Sequence, residues 1–248
     1  MRMNVTVPIK KAYFNRLNEL ISSIEQSNAD KFDEAASVIA ETMAIGGGIH
    51  VFDTGHLLSY ELFNRAGGLV AFQPLKIHLS VENQVRDRGI PKLRNMEGFM
   101  KYALQSSKVC PGDVMIIGSV SGKSTEVVDL AKAAKEIGAF VIAVTSLSYS
   151  TILRSDHSSG ERLFELADLV LDNCAEPMDA MLEIPGLDAH LCPASGISAA
   201  VIMWAIEALV AERLIQKGIR PSVLKSANAP GTEAFNNQAY EQYAKFGY

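Results

Sequence analysis

Cysteine is scarce in this chain of 248 residues. The three present, Cys110, Cys174 and Cys192, are odd in number and far apart, and no CxxC pair exists. That spacing provides neither a disulfide framework nor a zinc site. An excess of positive charge is also missing. The formal net charge is -5, which argues against general nucleic-acid binding, because that depends on Lys and Arg neutralising phosphates. A small anionic ligand remains compatible, since a local site can oppose the overall charge. Long apolar runs are missing as well. The most apolar, AAVIMWAIEALVA over 199–211, is too short to span a bilayer and contains Glu207. The opening MRMNVTVPIKK lacks the apolar core of a signal peptide. The expectation is a reduced, cytoplasmic protein with no membrane or nucleic-acid partner.

What is present is an alternation of patterns. Over 9–45, Ile9, Tyr13, Leu17, Leu20 and Ile24 recur at helical spacing, and Val38, Ile39 and Met43 continue it. The spacing predicts two helices, divided by a polar SNAD (27–30) that can cap the second. Their apolar stripes need either the rest of the chain or a partner subunit to cover them. From Gly46 onward, short apolar runs alternate with helical stretches. The expected strands are IHVFD (49–53), GLVAF (68–72), VMIIG (114–118), FVIAVT (140–145) and LVLD (169–172). Helical segments are expected near 57–66, 92–106, 123–137 and 161–167, and AMLEI (180–184) reads as a short edge strand or an excursion. A last long helix runs from Gly196 to Lys217 and stops at Gly218. Strands apolar on both faces and separated by helices predict an α/β fold with a parallel sheet covered on each side. The expected organisation is an N-terminal helical extension (1–45), a central domain (46–220) and a polar C-terminal tail (221–248).

The most informative stretch is VMIIGSVSGKSTEVVDLAKAAKEIGAFVIAVTS (114–146), a complete strand–loop–helix–strand unit. In such units ligands bind beyond the carboxyl ends of the strands. A helix N-terminus offers unpaired N–H groups and a partial positive charge, and so favours an anion. Gly122 allows close backbone approach, and Ser119, Ser121, Ser124 and Thr125 add hydroxyls. A helix cap needs only one such hydroxyl. GSVSGKST also imitates a nucleotide-binding P-loop, with LADLVLD (166–172) as a mimic of its acidic strand. A P-loop has four residues between its first Gly and Gly-Lys. Only Ser119, Val120 and Ser121 separate Gly118 from Gly122.

Ser119-Val120-Ser121-Gly122-Lys123-Ser124-Thr125-Glu126-Val127 resembles the sugar isomerase (SIS) domain family, whose pattern is Ser-x-Ser-Gly-x-Thr before a helix beginning Glu-Val. Ser124 stands where the family has Thr and keeps the hydroxyl. RAGGL (65–69), MEGF (96–99), SLSYSTILRSDHSSGERLFELADLVLDN (146–173) and KSANAPGTEAFN (225–236) resemble one group of stand-alone members. The resemblance implies a three-layer, flavodoxin-like α/β/α sandwich with a five-stranded parallel sheet. It also implies a homodimer or larger homo-oligomer and a sugar phosphate, or a similar anionic sugar, as ligand. By similarity, Thr54, Gly55, His56 and Ser59 after the first strand face the same pocket as Ser119, Ser121, Ser124 and Ser146.

Aldose–ketose isomerisation moves a proton between adjacent carbons through an enediol. It needs a base over the carbon and a second group to shuttle the hydroxyl proton, but no metal or cofactor, provided dipoles and hydrogen bonds hold the enediolate. Glu61 is the first candidate base, because Glu61-Leu62-Phe63-Asn64-Arg65 resembles the Glu-Leu-x-x-Arg stretch of phosphoheptose isomerases. The alternative is a surface glutamate paired with Arg65 four residues on. Glu82 and Glu97 are weaker candidates. Among five histidines, His56 at a strand end and His157 in a loop are the two placed for acid–base work. The last helix departs from the phosphoheptose isomerases in carrying no histidine; it offers Trp204 and Glu207 instead. The leading expectation is therefore a phosphosugar isomerase or epimerase. A non-catalytic sugar-phosphate sensor and an amino-sugar phosphate etherase stand beside it.

Overall fold

The computed structural model describes residues 8–54, 58, 61–80, 82, 84–86, 88–89 and 96–248. The chain opens with α1 (Ile9–Ser27) and α2 (Ala29–Ala44), followed by β1 (Ile49–Asp53) and β2 (Phe72–Pro74). Next come α3 (Phe99–Gln105), β3 (Val114–Gly118), α4 (Thr125–Ile137) and β4 (Phe140–Thr145). Two one-turn helices, α5 (Leu147–Ser150) and α6 (Leu163–Leu166), lead to β5 (Leu169–Asp172). The chain ends with β6 (Ala180–Leu182), β7 (Leu191–Pro193), α7 (Ser195–Gln216) and α8 (Thr232–Phe246). Among the described residues, no helix is long and apolar enough to cross a membrane.

Five strands form one parallel sheet in the order β2-β1-β3-β4-β5. Strand periodicity divides its side chains between two apolar layers. Val114, Ile116, Ile142 and Val144 face one layer with α2 and α7, where Ala36, Ile39, Ile202 and Ile206 are fully buried. Met115, Ile117, Val141 and Ala143 face the other with α3, α4 and α6, where Leu104, Val127, Leu130 and Leu163 are buried. The result is the expected α/β/α sandwich.

The elements differ from the sequence reading in informative places. The second strand is Phe72–Pro74 and not 68–72, because the backbone of 67–70 pairs with 222–224 instead of β1. Residues 61–64 form turns, and 57 and 59–60 of the expected 57–66 helix lie outside the described residues. The helix expected near 92–106 is described as Phe99–Gln105, after Gly98 at φ 88°; 92–95 lie outside the described residues. AMLEI does not join the main sheet, since β6 pairs antiparallel with β7. The polar tail contains α8, whose Phe235, Ala239 and Tyr243 repeat every fourth residue toward the protein.

Asn28, expected within a capping segment, makes no side-chain cap to α2. Its amide instead latches the α1–α2 junction to the sheet edge. Nδ2 donates to Asp172 O (2.8 Å) and Ile24 O (2.9 Å), and Oδ1 accepts the Asp172 N–H (2.8 Å). Asn28 is fully buried, so its removal strands backbone groups that water does not reach. Asn28→Ala is expected to destabilise the protein by about 2–4 kcal/mol, read from urea unfolding. A change below about 0.5 kcal/mol, half of one ordinary hydrogen bond, would show that the latch contributes nothing.

Candidate functional site

In a sheet of this order the chain leaves β1 toward β2 on one side, while β3 lies on the other. The crevice for a ligand therefore opens between β1 and β3 at their carboxyl ends. Asp53 and Gly118 are paired in register there, and Thr54 N–H donates to Gly118 O at 3.3 Å. The loops after both strands thus start at the same level. Thr54 is exposed at the edge. Gly55, His56 and Ser59, expected to line the same pocket, lie outside the described residues.

The β3–α4 loop is shaped from behind by residues 145–163. Val120 O accepts from Ser146 N–H (3.1 Å) and Thr145 Oγ1 (3.1 Å), and Ser121 O accepts from Ser150 Oγ (2.8 Å). Gly122 O accepts from Leu163 N–H (2.8 Å) and Lys123 O from Asp156 N–H (2.9 Å). Four successive carbonyls are turned into the protein. In a trans peptide the following N–H points the opposite way, so those of Ser121, Lys123 and Ser124 face away from this buttress. The N–H groups of Thr125 to Val127 also precede the first intrahelical bond, Val128 N–H to Ser124 O. Such a row of free N–H groups at a helix start attracts an anion.

The hydroxyls divide into committed and open ones. Ser119 is buried and its Oγ accepts Gly122 N–H (3.2 Å), fixing the turn. Thr125 Oγ1 donates to Asp156 O (3.1 Å). Ser146 is fully buried; it donates to Ala175 O (2.6 Å) and caps α5 through Tyr149 N–H. It supports the edge from within. Ser124 is the N-cap of α4 yet makes no side-chain cap bond. No described residue bonds the Ser121 hydroxyl either. These two hydroxyls have no partner among the described residues. Lys123 lies on the rim with Nζ 2.8–2.9 Å from both Asp156 oxygens, so its charge is already matched.

The acid–base candidates are spread out. Glu61 sits on a turn, half-exposed, with Oε1 3.0 Å from Arg65 Nη2. Beneath it lie Ala200, Met203 and Trp204 of α7. His157 is buried, and its Nδ1 accepts Ser159 N–H (3.0 Å), which assigns the ring proton to Nε2. Nε2 faces Glu97 Oε1 at 3.4 Å, and Ser158 Oγ donates to the same carboxylate. Both ring nitrogens are thus engaged. His157 and Glu97 together fasten the loop before α6 to the start of α3.

Other polar groups at this edge carried little sequence signal. Arg162 Nη1 donates to Ser150, Thr151 and Leu153 carbonyls, holding the end of α5. Asn173, fully buried after β5, has an Nδ2 with no partner among the described residues. Among those residues no group of three or more His, Cys, Asp or Glu side chains is placed to hold a metal.

Comparison with known proteins places these features in a family. The family described as SIS domain matches residues 12–146. A UPF0309 protein of Shouchella clausii is 34% identical over 233 residues, 93% of this chain and 95% of that protein. A UPF0309 protein of Listeria monocytogenes serotype 4b is also 34% identical over 233 residues, 93% of this chain and 94% of its own length. Among solved structures, an E. coli CFT073 protein solved in complex with a ligand is similar at TM-score 0.46 and 16% identity, over 97% of this chain and 100% of that one. The sugar isomerase domain of an RpiR transcription factor from Sphaerobacter thermophilus is similar at TM-score 0.46 and 17% identity, over 95% and 97%.

Gly122 adopts φ +58°, and a Cβ there would lie 3.1 Å from Leu163 Cβ, 3.2 Å from Ser150 Oγ and 3.3 Å from Thr145 Oγ1. Both backbone strain and crowding oppose a side chain. Gly122→Ala is expected to cost about 1–3 kcal/mol of stability and to rotate the loop peptides away from their buttress. Thermal unfolding and a crystal structure of the variant would check this. An unchanged melting temperature with an unmoved loop would disprove it.

Proposed function

The chain belongs to the SIS domain family, and from that premise we propose that it binds an anionic sugar of the sugar-phosphate class in the β1/β3 crevice and isomerises it. The observation that carries the proposal is the unused donor set at the start of α4. It comprises the outward N–H groups of Ser121 and of Lys123 to Val127, with the uncommitted hydroxyls of Ser121 and Ser124. Hydrogen bonds to a charged group contribute about 1.5–3 kcal/mol each, so three or four suffice to hold a phosphate. The sugar then extends past Thr54 toward the loop after β1. Glu61 is the base in this reading. Its carboxylate leaves Arg65, takes the proton from the carbon beside the carbonyl and returns it to the neighbouring carbon; the hydroxyl proton passes from one oxygen of the enediol to the other, and helix N–H groups hold the anionic end in place. We also propose that the protein works in the cytoplasm as a homodimer or larger homo-oligomer, which would cover the exposed Phe14 and Ile21 of α1.

A non-catalytic sensor is the second reading. It is favoured by the absence of histidine from α7 and by the engagement of both His157 nitrogens, which leave Glu61 without an evident acid–base partner among the described residues.

A thermal-shift screen of sugar phosphates, sugar sulfonates and nucleotides tests the binding proposal. At least one sugar ligand is expected to raise the melting temperature and nucleotides are not. Ser124→Ala should weaken that ligand by about tenfold or more. Glu61→Gln should bind normally and abolish interconversion. Stabilisation by nucleotides alone would overturn the proposal, and tight binding without turnover in the wild type would leave the sensor reading.

A further inference from the structure

One carboxyl lies deep in the apolar layer of α7. Glu207 is 4% exposed. Its Oε2 accepts the Leu69 N–H at 2.8 Å, while Oε1 is buried with no partner among the described residues. Burial pushes the carboxyl up to about 8, with the Leu69 N–H pulling weakly the other way, and no neighbouring charge adds to the shift. Arg213, further along α7, pairs with Asp33 of α2, and Asp113 pairs with His50. Tyr243 of α8 is half-buried, and burial raises its phenol.

Leu69 belongs to a strap, residues 65–70, directly after the Glu61 turn. The strap is bound on one side to the segment before α8. Gly67 N–H donates to Leu224 O, Leu224 N–H to Gly68 O and Val70 N–H to Ser222 O. On the other side it lies against α7, so closely that a Cβ on Gly68 would meet the Trp204 ring at 3.4 Å. Gly68 N–H returns to Arg65 O, closing a turn over 65–68 that directly follows the Glu61 turn, itself closed by Glu61 and Leu62 N–H groups on Leu58 O. Trp204 and Glu207 are three residues apart and share one helix face. The same face of α7 therefore supports the Glu61 turn from below and holds its continuation by the Leu69 amide.

We propose that Glu207 is a positioning residue for the Glu61 turn: in its neutral form it holds the strap of residues 65–70 against α7 through the Leu69 N–H, and rising pH loosens the strap. The proposal rests on Glu61 acting at the sugar site. A carboxylate would accept the Leu69 N–H more strongly, but its second oxygen would carry charge buried from solvent with no donor among the described residues, and that desolvation outweighs the gain. Opening the strap admits water and relieves it. The sign follows from linkage. The closed form keeps its proton up to about pH 8, whereas the opened carboxyl ionises from its ordinary value of 4.5. The stabilisation is fully present below pH 4.5 and is lost progressively as pH rises toward 8.

Amide hydrogen exchange of residues 65–70, compared between wild type and Glu207→Gln from pH 5.5 to 9, tests this directly. Gln keeps the acceptor and cannot ionise. The wild-type to variant ratio of opening should rise by up to about tenfold per pH unit, levelling near the folded carboxyl value. Glu207→Met, which lacks the acceptor, should be open at every pH. Affinities for a hexose 6-phosphate and for inorganic phosphate provide the second readout, with Glu207→Gln correcting for the ligands' own titration. Between pH 6 and 8 the wild type should lose preference for the hexose ester severalfold relative to Glu207→Gln. Parallel exchange profiles in wild type and Glu207→Gln would overturn the proposal, as would a preference that shifts equally in both. If neither anion binds the wild type at any pH, the sugar reading of the site fails and the exchange ratio alone decides the role of Glu207.

Discussion

The direction of four peptide groups governs everything at the carboxyl edge of the sheet. The carbonyls of Val120 to Lys123 are each met by a donor from residues 145–163. Because the peptide is planar and trans, satisfying those carbonyls on one side presents N–H groups on the other. The concentration of donors at the start of α4 is thus a consequence of packing behind the loop. It also explains why so many polar side chains in 145–163 are unavailable to a ligand. Thr145, Ser146 and Ser150 are buried and shape the loop.

A second constraint is shared between distant parts of the chain. α7 lies in the same apolar layer as α2 and carries Glu207, whose buried carboxyl accepts the Leu69 N–H of the strap after the Glu61 turn. The segment before α8 closes that strap from the other side. At the far edge Asn28 binds the backbone of Asp172 with both ends of its amide. At the amino ends of the strands Asp113 performs a comparable task. It accepts from Gly48 and Cys110 N–H groups and faces His50 Nε2 at 2.9 Å. Each of these polar groups fixes a place where helix or loop backbone meets the sheet, which the apolar layers alone leave free to slide.

The core strands were readable because Val, Ile and Met runs at 114–118 and 140–145 are apolar on both faces, and only a sheet covered twice accommodates that. α1, α2, α4 and α7 were readable from their periodicity. The loop was readable because Gly and hydroxyl residues cluster where an apolar strand passes into an amphipathic helix. Errors fell where polar bonding between distant segments overrides local pattern. GLVAF looks like a strand, yet its first residues pair with 222–224 and with Glu207, 138 residues further on. α8 was missed because its apolar stripe is thin, although Phe235, Ala239 and Tyr243 carried the signal.

The sequence by itself determined the parallel sheet, its two apolar layers and the glycine- and hydroxyl-rich loop between β3 and α4, because hydrophobic periodicity and glycine geometry act over a few residues. The tertiary structure decided which hydroxyls remain open. Ser119, Thr125 and Ser146 have the same chemistry as Ser121 and Ser124, but their partners come from other segments or from the folded turn. It likewise decided that His157 faces Glu97 and that burial raises the Glu207 carboxyl. Burial and hydrogen-bond partners are properties of position in three dimensions, and no local pattern encodes them.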